Sequence, residues 1–313
     1  MRFEGFHFQT LSDPQTFFFL NLFSVLRVPA FMHAHEFESL KIQDMTFVAY
    51  RNQDPPLRNE VFFEEHAVIF VLEGEKRFLA PEGETRVRKG DVVFIRRGYY
   101  FMQEALDRAY RSLVFFFHEK LLKSFVEQNI ELISGPLQKR EIENPLLVFA
   151  GNESLSAFAD SIFPYFQRPT PFLNQFLRLK SHELLLLLME NDETGQLKAF
   201  LHSLYQGEKL DLEWLLKSYY LKPLSLNELA RLSGRSLSAF KRDFEKQFAS
   251  SPAAWIRKKR LEHAVFLLEN SGKNVSEISL EIGYESVSHF IKAFKEQYGS
   301  TPTLYNRTKN AIV

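Results

Sequence analysis

The hydrophobic pattern divides the chain into two regimes. Up to about residue 117 the apolar residues come in short β-rich runs separated by turn residues. Glu65 to Leu79 (EHAVIFVLEGEKRFL) holds two such runs around Glu73-Gly74-Glu75, which predicts a hairpin. Lys89-Gly90-Asp91 introduces a run from Val92 to Ile95, Arg97-Gly98 turns it, and Leu113 to Phe117 is a further run. Strands this short and this regularly spaced predict a small antiparallel barrel or sandwich. After His118 the period becomes helical. In Phe172 to Met189, Leu173, Leu177, Leu184 and Leu188 share one face, and Phe172, Phe176 and Leu179 widen it. The end of this helix is apolar almost all round, which predicts burial on more than one side. It is either an internal core helix or one that packs on the β region and also on a second subunit. On the second reading those four leucines make the dimer contact.

The last ninety residues or so contain one unit twice. Unit one runs from Ser225 to Trp255 and unit two from Asn274 to Tyr305. At an offset of 49, Glu228, Leu229 and Gly234 match Glu277, Ile278 and Gly283. At an offset of 50, Leu237, Phe240, Phe244, Phe248, Pro252 and Trp255 match Val287, Phe290, Phe294, Tyr298, Pro302 and Tyr305. Each unit reads as a short helix, a glycine turn suited to positive φ, a serine cap (Ser236, Ser286) and a second helix. The second helices carry one apolar stripe each. Their opposite faces are polar and basic: Ser238, Lys241, Arg242 and Lys246 in unit one, Ser288, His289, Lys292 and Lys295 in unit two. This is the layout of a helix-turn-helix, whose second helix enters the DNA major groove N-terminus first. Pro252 to Asn270 predicts one connecting helix of about 18 residues, roughly 27 Å long. Such a helix can hold two units near one DNA turn apart, roughly 34 Å. The competing reading is a helical domain with duplicated packing and no nucleic acid.

Charge sharpens this picture. Lys+Arg and Asp+Glu both number 39 in the 313 residues. The segment from Leu210 to Val313, however, holds 16 Lys+Arg against 11 Asp+Glu, a net of +5, so the remainder carries −5. A basic C-terminal third on an acidic body points to a polyanion-binding module on a carrier. There is no cysteine, which excludes disulfides, thiolate metal sites and cysteine nucleophiles. The apolar stretch Phe17 to Leu26 is short, interrupted by Asn21 and Ser24, and has only Arg2 as a cation before it, so a signal peptide is not expected. A cytoplasmic protein with no membrane span is expected.

The repeat resembles the DNA-binding domain of the AraC/XylS family of transcriptional regulators over Leu210 to Arg307. The resemblance rests on Glu277-Ile278, Gly283-Tyr284, Ser288-His289-Phe290, Ala293-Phe294-Lys295, Tyr298-Gly299 and Thr301-Pro302. Two positions depart from the family pattern: Ser279 stands where the family usually has Ala, and Asn306 precedes Arg307 where the family tends to place Arg directly after the aromatic. Many members carry an N-terminal cupin-like barrel, and Glu65 to Phe101 is similar to one. Within the family that stretch is most similar to the type III secretion activators, whose members can be controlled by a protein partner.

The expected fold is therefore α+β. Residues 1–120 form a cupin-like sensor domain, 121–206 a helical linker and dimerisation segment, and 207–313 the DNA-binding domain with two helix-turn-helix motifs. Double-stranded DNA is the expected partner, with a homodimer and, by resemblance, RNA polymerase. Arg235, Ser236, Ser238, Ala239, Lys241 and Arg242 are the expected DNA contacts of the first recognition helix. Glu285, Ser286, Ser288, His289, Lys292 and Lys295 are those of the second.

Cupin enzymes hold a metal through histidines and a glutamate, and those positions fall here on Val61, Phe63, Ala67 and Phe101. No ligand survives in that register, so no metal, no cofactor and no catalytic residue is expected. A dry barrel is expected instead, taking an apolar effector if not a protein partner. Phe62-Phe63, Phe94, Tyr99-Tyr100-Phe101 and Phe115-Phe116-Phe117 read first as a packed barrel core and, as the alternative, as the lining of an apolar pocket. His33-Ala34-His35 with Glu36 and Glu38 is the remaining ligand-like cluster if it lies on a strand. His66 and His118 read as pocket or core residues. The alternative from another class is a metal-dependent cupin enzyme fused to a DNA-binding tail.

Overall fold

The computed structural model describes residues 25–34, 37–42, 44–51, 58–80, 83–104, 109–133, 146–168 and 170–310. Most of the apolar segment from Phe17, and His35 and Glu36 of the ligand-like cluster, lie outside them. The order of elements is β1 (Leu26–Val28), α1 (Ala30–Ala34), β2 (Glu38–Ile42), β3 (Met45–Arg51), β4 (Arg58–Phe63), β5 (His66–Glu73), β6 (Glu75–Ala80), β7 (Gly83–Arg88), β8 (Val92–Ile95), β9 (Gly98–Glu104) and β10 (Arg111–Phe117). Then follow α2 (Glu119–Gln128), α3 (Ile130–Ile133), β11 (Leu146–Phe149), α4 (Glu153–Gln167), α5 (Leu173–Glu190) and α6 (Gln196–Gln206). The C-terminal part holds α7 (Leu212–Tyr219), α8 (Leu226–Leu232), α9 (Leu237–Phe248), α10 (Pro252–Asn270), α11 (Val275–Glu281), α12 (Val287–Tyr298) and α13 (Pro302–Asn310).

Two sheets form the β region, in the orders β1-β4-β9-β6-β7 and β11-β8-β5-β10-β3-β2. The strands on either side of Glu73-Gly74-Glu75 exist but do not pair with each other. β5 bonds to β8 and β10 in one sheet, and β6 to β7 and β9 in the other. Gly74, at φ 78°, is a corner between sheets, where a Cβ would lie 2.4 Å from the Ala109 carbonyl oxygen. The expected hairpin misreads this corner, because a Gly between two β-rich runs signals a sharp change of direction without saying what the next strand pairs with.

In the six-stranded sheet the central strands β5, β8 and β10 are buried on both faces, and they read as unbroken apolar runs for that reason. One face turns Ile69, Val71, Val93, Val114 and Phe116 into the barrel interior. The other turns Phe70, Phe94, Leu113, Phe115 and Phe117 against the helices, where they meet Phe125, Phe158, Leu177, Leu184, Leu188 and Phe200. The aromatic triplet Phe115-Phe116-Phe117 is thus split between two cores. β11 interrupts the helical run after His118 and extends this sheet beside β8.

Leu177, Leu184 and Leu188 are fully buried and Leu173 partly so, all in the chain's own core. This corrects the expectation that they touch a second subunit: the face of α5 open to a partner carries Phe172, Phe176, Leu179 and Leu186 instead. The backbone of 30–34 is helical, so His33 and Ala34 do not sit on the strand that the cluster with Glu38 required. Among the described residues, no group of three His, Asp or Glu side chains could hold a metal, and no helix is long and apolar enough to cross a membrane.

Candidate nucleic-acid interface

Local chemistry builds both helix-turn-helix units alike. Ser225 and Glu228 form a capping box at the start of α8, and Asn274 and Glu277 form one at the start of α11. Gly234 (φ 72°) and Gly283 (φ 83°) make the turns. Ser236 accepts a hydrogen bond from the Ala239 amide and Ser286 from the His289 amide, capping α9 and α12. Phe240 and Phe244 are buried in the first unit's core, and Phe290 and Phe294 in the second's. Burying one stripe fixes what the other faces present. Ser238, Lys241, Arg242 and Lys246 are exposed on α9; Ser288, His289, Lys292 and Lys295 are exposed on α12. Glu285 stands exposed in the second turn and Ala239 is half-buried on α9.

Arg235 departs from its expected place at the base edges. Its side chain is only 11% exposed. Nη1 donates to the Leu210 and Ser233 carbonyls at 2.8 and 3.1 Å, and Nε donates to Asp243 Oδ2 at 3.1 Å. It ties the turn to the recognition helix from inside. Asp243 also lies 3.5 Å from Arg242 and 3.9 Å from Lys209. The Arg235 hydrogen bond, with these cations, holds the Asp243 carboxyl below its usual range.

Between the units runs α10, 19 residues long, with Pro252 in its first turn and Ser251 as its cap. Ile256 belongs to the first unit's core, and Leu261, Ala264, Leu267 and Leu268 belong to the second's. The expected connecting helix is there, and α13 closes the second unit as α10 closes the first.

The β region packs on α8, the scaffold helix of unit one. Phe62 and Val25 are buried in the same cluster as Leu229, Phe240 and Phe244. Arg27 Nε donates to Glu228 Oε1 at 2.7 Å, and its Nη2 donates to the Pro223 carbonyl at 2.9 Å and lies 3.9 Å from Glu285. One turn along α8, Arg231 Nη2 donates to the Glu64 carbonyl at 2.9 Å and to Glu65 Oε1 at 2.6 Å. Lys222 sits over the rings of Tyr99 and Phe101, at 4.6 and 4.4 Å. Phe101, where the cupin register would place a histidine, therefore faces this seam, while its neighbour Tyr100 turns into the barrel. Sequence reasoning missed Arg27, Glu228 and Arg231 as seam residues. The capping-box spacing Ser225-x-x-Glu228 was the legible signal, but it points to the helix start, not to a partner across the chain.

Inside the barrel lies a cavity of about 50 Å³ lined by Val28, Phe31, Tyr50, Phe63, Lys76 and Ser112 among others. The Lys76 Nζ is 4.2 Å from the Tyr110 ring centre and 5.0 Å from that of Tyr50. Ser112 is 1% exposed and its Oγ has no hydrogen-bond partner. The interior is thus less uniformly apolar than the Phe-rich sequence implies. His66, buried between the rings of Phe94 and Phe200, accepts from the Arg97 amide at 3.0 Å and is a core residue. Burial first, then Arg97, Arg96 and Arg231, push its pKa well below the usual histidine value. His118 is exposed at the start of α2 and lies 3.9 Å from Glu65.

A β regulatory region docked on paired helix-turn-helix units defines a DNA-binding transcriptional regulator. The family profile described as the ExsA N-terminal regulatory domain matches residues 66–200, and a helix-turn-helix domain profile matches residues 229–308. The relatives that the chain matches across both domains are AraC-family activators. It is 25% identical over 256 residues to the virulence regulon transcriptional activator VirF of Yersinia enterocolitica, covering 82% of this chain and 94% of that one. It is 26% identical over 246 residues to the HTH-type transcriptional regulator ExsA of Pseudomonas aeruginosa, covering 79% and 87%. A crystal structure of apo ToxT from Vibrio cholerae aligns over 85% of this chain and 98% of that one, at 15% identity and a TM-score of 0.42.

Proposed function

We propose that the chain activates transcription in the cytoplasm by setting both recognition helices into successive major grooves of a promoter. The exposed polar faces of α9 and α12 carry this reading: Ser238 and Arg242 match Ser288 and Lys292 at the offset of 50, and each face adds its own lysines, Lys241 and Lys246 in the first and Lys295 in the second. Lys241, Arg242, Lys292 and Lys295 neutralise phosphates and set register. Ser238, Ala239, Ser288 and His289 reach base edges, and Glu285 accepts from cytosine N4. RNA polymerase is the partner at the promoter. The acting form is a homodimer, supported by the solvent-facing Phe172, Phe176, Leu179 and Leu186 on α5. An apolar stripe at that spacing suits packing against a second copy.

Control passes through the N-terminal region. Its cavity of about 50 Å³ has room for a few waters at about 10–15 Å³ each, far short of a drug-sized ligand. That size favours a protein docking on the outside over an apolar effector within. The test is binding to a selected duplex with and without Lys241→Ala and Lys292→Ala. Each variant is expected to weaken all sequences alike, and a pair that binds as wild type does would remove these faces from the interface.

A further inference from the structure

Helix α10 joins two separate cores, and midway along it sits an arginine on the buried side. Arg260 follows Ile256 by four residues and precedes Ala264 by four, so it occupies the helix face that those residues bury. Its guanidinium is committed to three backbone carbonyls. Nε donates to Tyr220 O at 2.6 Å, Nη2 to Lys222 O at 2.5 Å and Nη1 to Gly283 O at 2.8 Å. The first two belong to the segment leading into unit one, and the third to the turn of unit two.

The chain segments also touch at this point. A Cβ on Gly283 would lie 2.3 Å from the Leu221 carbonyl oxygen and 3.0 Å from Arg260 Cζ. The Tyr284 ring centre is 6.0 Å from the guanidinium. Burial disfavours the arginine's charge, so the three carbonyls offset that cost. A guanidinium is a rigid planar fork, and it holds its acceptors in one mutual geometry.

We propose that Arg260 is the positioning residue that fixes the angle between the two helix-turn-helix units, and thereby the spacing of the two half-sites the chain accepts on duplex DNA. The proposal rests on the two-unit DNA reading above. Duplex DNA is unforgiving here, because with about 10–10.5 bp per turn each added base pair rotates the second half-site by roughly 35°. A bracketed pair of units fits one spacing, and a loosened pair fits several.

The experiment uses the full chain, a duplex selected by the wild type from random DNA, and copies with one base pair added or removed between the half-sites. Wild type is expected to prefer the parent spacing by about tenfold or more, the loss of one or more base contacts. Arg260→Lys keeps a cation but cannot span three carbonyls, and Arg260→Gln removes the charge. Both, compared at a temperature where melting curves show them folded, are expected to reduce that preference to about threefold or less, by losing affinity at the parent spacing. A folded variant that keeps the wild-type ratio, even with weaker binding throughout, assigns Arg260 to stability alone and overturns the proposal. Wild-type binding that ignores spacing would remove the two-unit reading and the proposal with it. Spacing-dependent binding by wild type and variants alike removes only the proposal.

Discussion

Glu228 joins two parts of the chain: its Oε2 accepts from the Ser225 amide at 2.6 Å, capping α8, while its Oε1 accepts from Arg27 at 2.7 Å. The residue that starts the scaffold helix of unit one is also a seam residue against the β region. A double-mutant cycle with Arg27→Ala and Glu228→Gln should give a coupling of about 1 kcal/mol in urea unfolding, since Arg27 is one-third exposed and solvent screens the pair. Zero coupling would mean that the pair adds nothing to the seam.

The same carboxylate makes the seam acid-sensitive. Burial raises its pKa, but hydrogen bonds from Arg27 and Ser225 outweigh burial and leave it below the ordinary 4.5. A depressed carboxylate stabilises the fold fully above its unfolded pKa, and that stability is lost as pH falls through the lowered native value. Unfolding followed from pH 7 downward should therefore show the Arg27→Ala penalty hold steady until below about pH 4.5 and then shrink. A penalty independent of pH down to full protonation would contradict the assignment.

The recognition faces separate by role. Lys292→Ala should lower affinity evenly and reduce the slope of log K against log salt by about 0.9. His289→Ala should instead shift the preferred base at one position by about 1–3 kcal/mol. Arg235→Ala should act on stability and helix placement, because the guanidinium is spent on Leu210, Ser233 and Asp243. Binding isotherms over a salt series, beside melting curves, distinguish the three.

Ser279 is fully buried and its Oγ has no hydrogen-bond partner. Ser279→Ala removes an unsatisfied hydroxyl and should stabilise the chain by about 1 kcal/mol in urea. A clear loss of stability would show that the hydroxyl has a partner in solution.

On α5 the two faces should respond differently. Leu179→Arg places charge on an exposed residue and should yield a folded monomer by sedimentation. Leu184→Ala opens the core and should cost about 2–5 kcal/mol. A Leu179→Arg chain that sediments as wild type does would move self-association to another surface.

The helix-turn-helix pair was legible because local rules and tertiary packing agree there: caps, turn glycines and apolar stripes all repeat. The core role of Leu177, Leu184 and Leu188 was half legible. A helix apolar all round announces burial but not which neighbour covers each face. The Gly74 corner was not legible, since strand partners are chosen by sheets remote in sequence. Arg260 left a trace, a cation in phase with Ile256 and Ala264, but its three acceptors are backbone atoms that no side-chain pattern encodes.

Selection of bound sequences from random duplex DNA by the full chain tests the central claim most directly. Two helix-turn-helix units held on one connecting helix should enrich a bipartite motif, its two halves about 10–10.5 base pairs apart. Enrichment of a single short half-site, or of no motif at all, would contradict the account of both units reading DNA together.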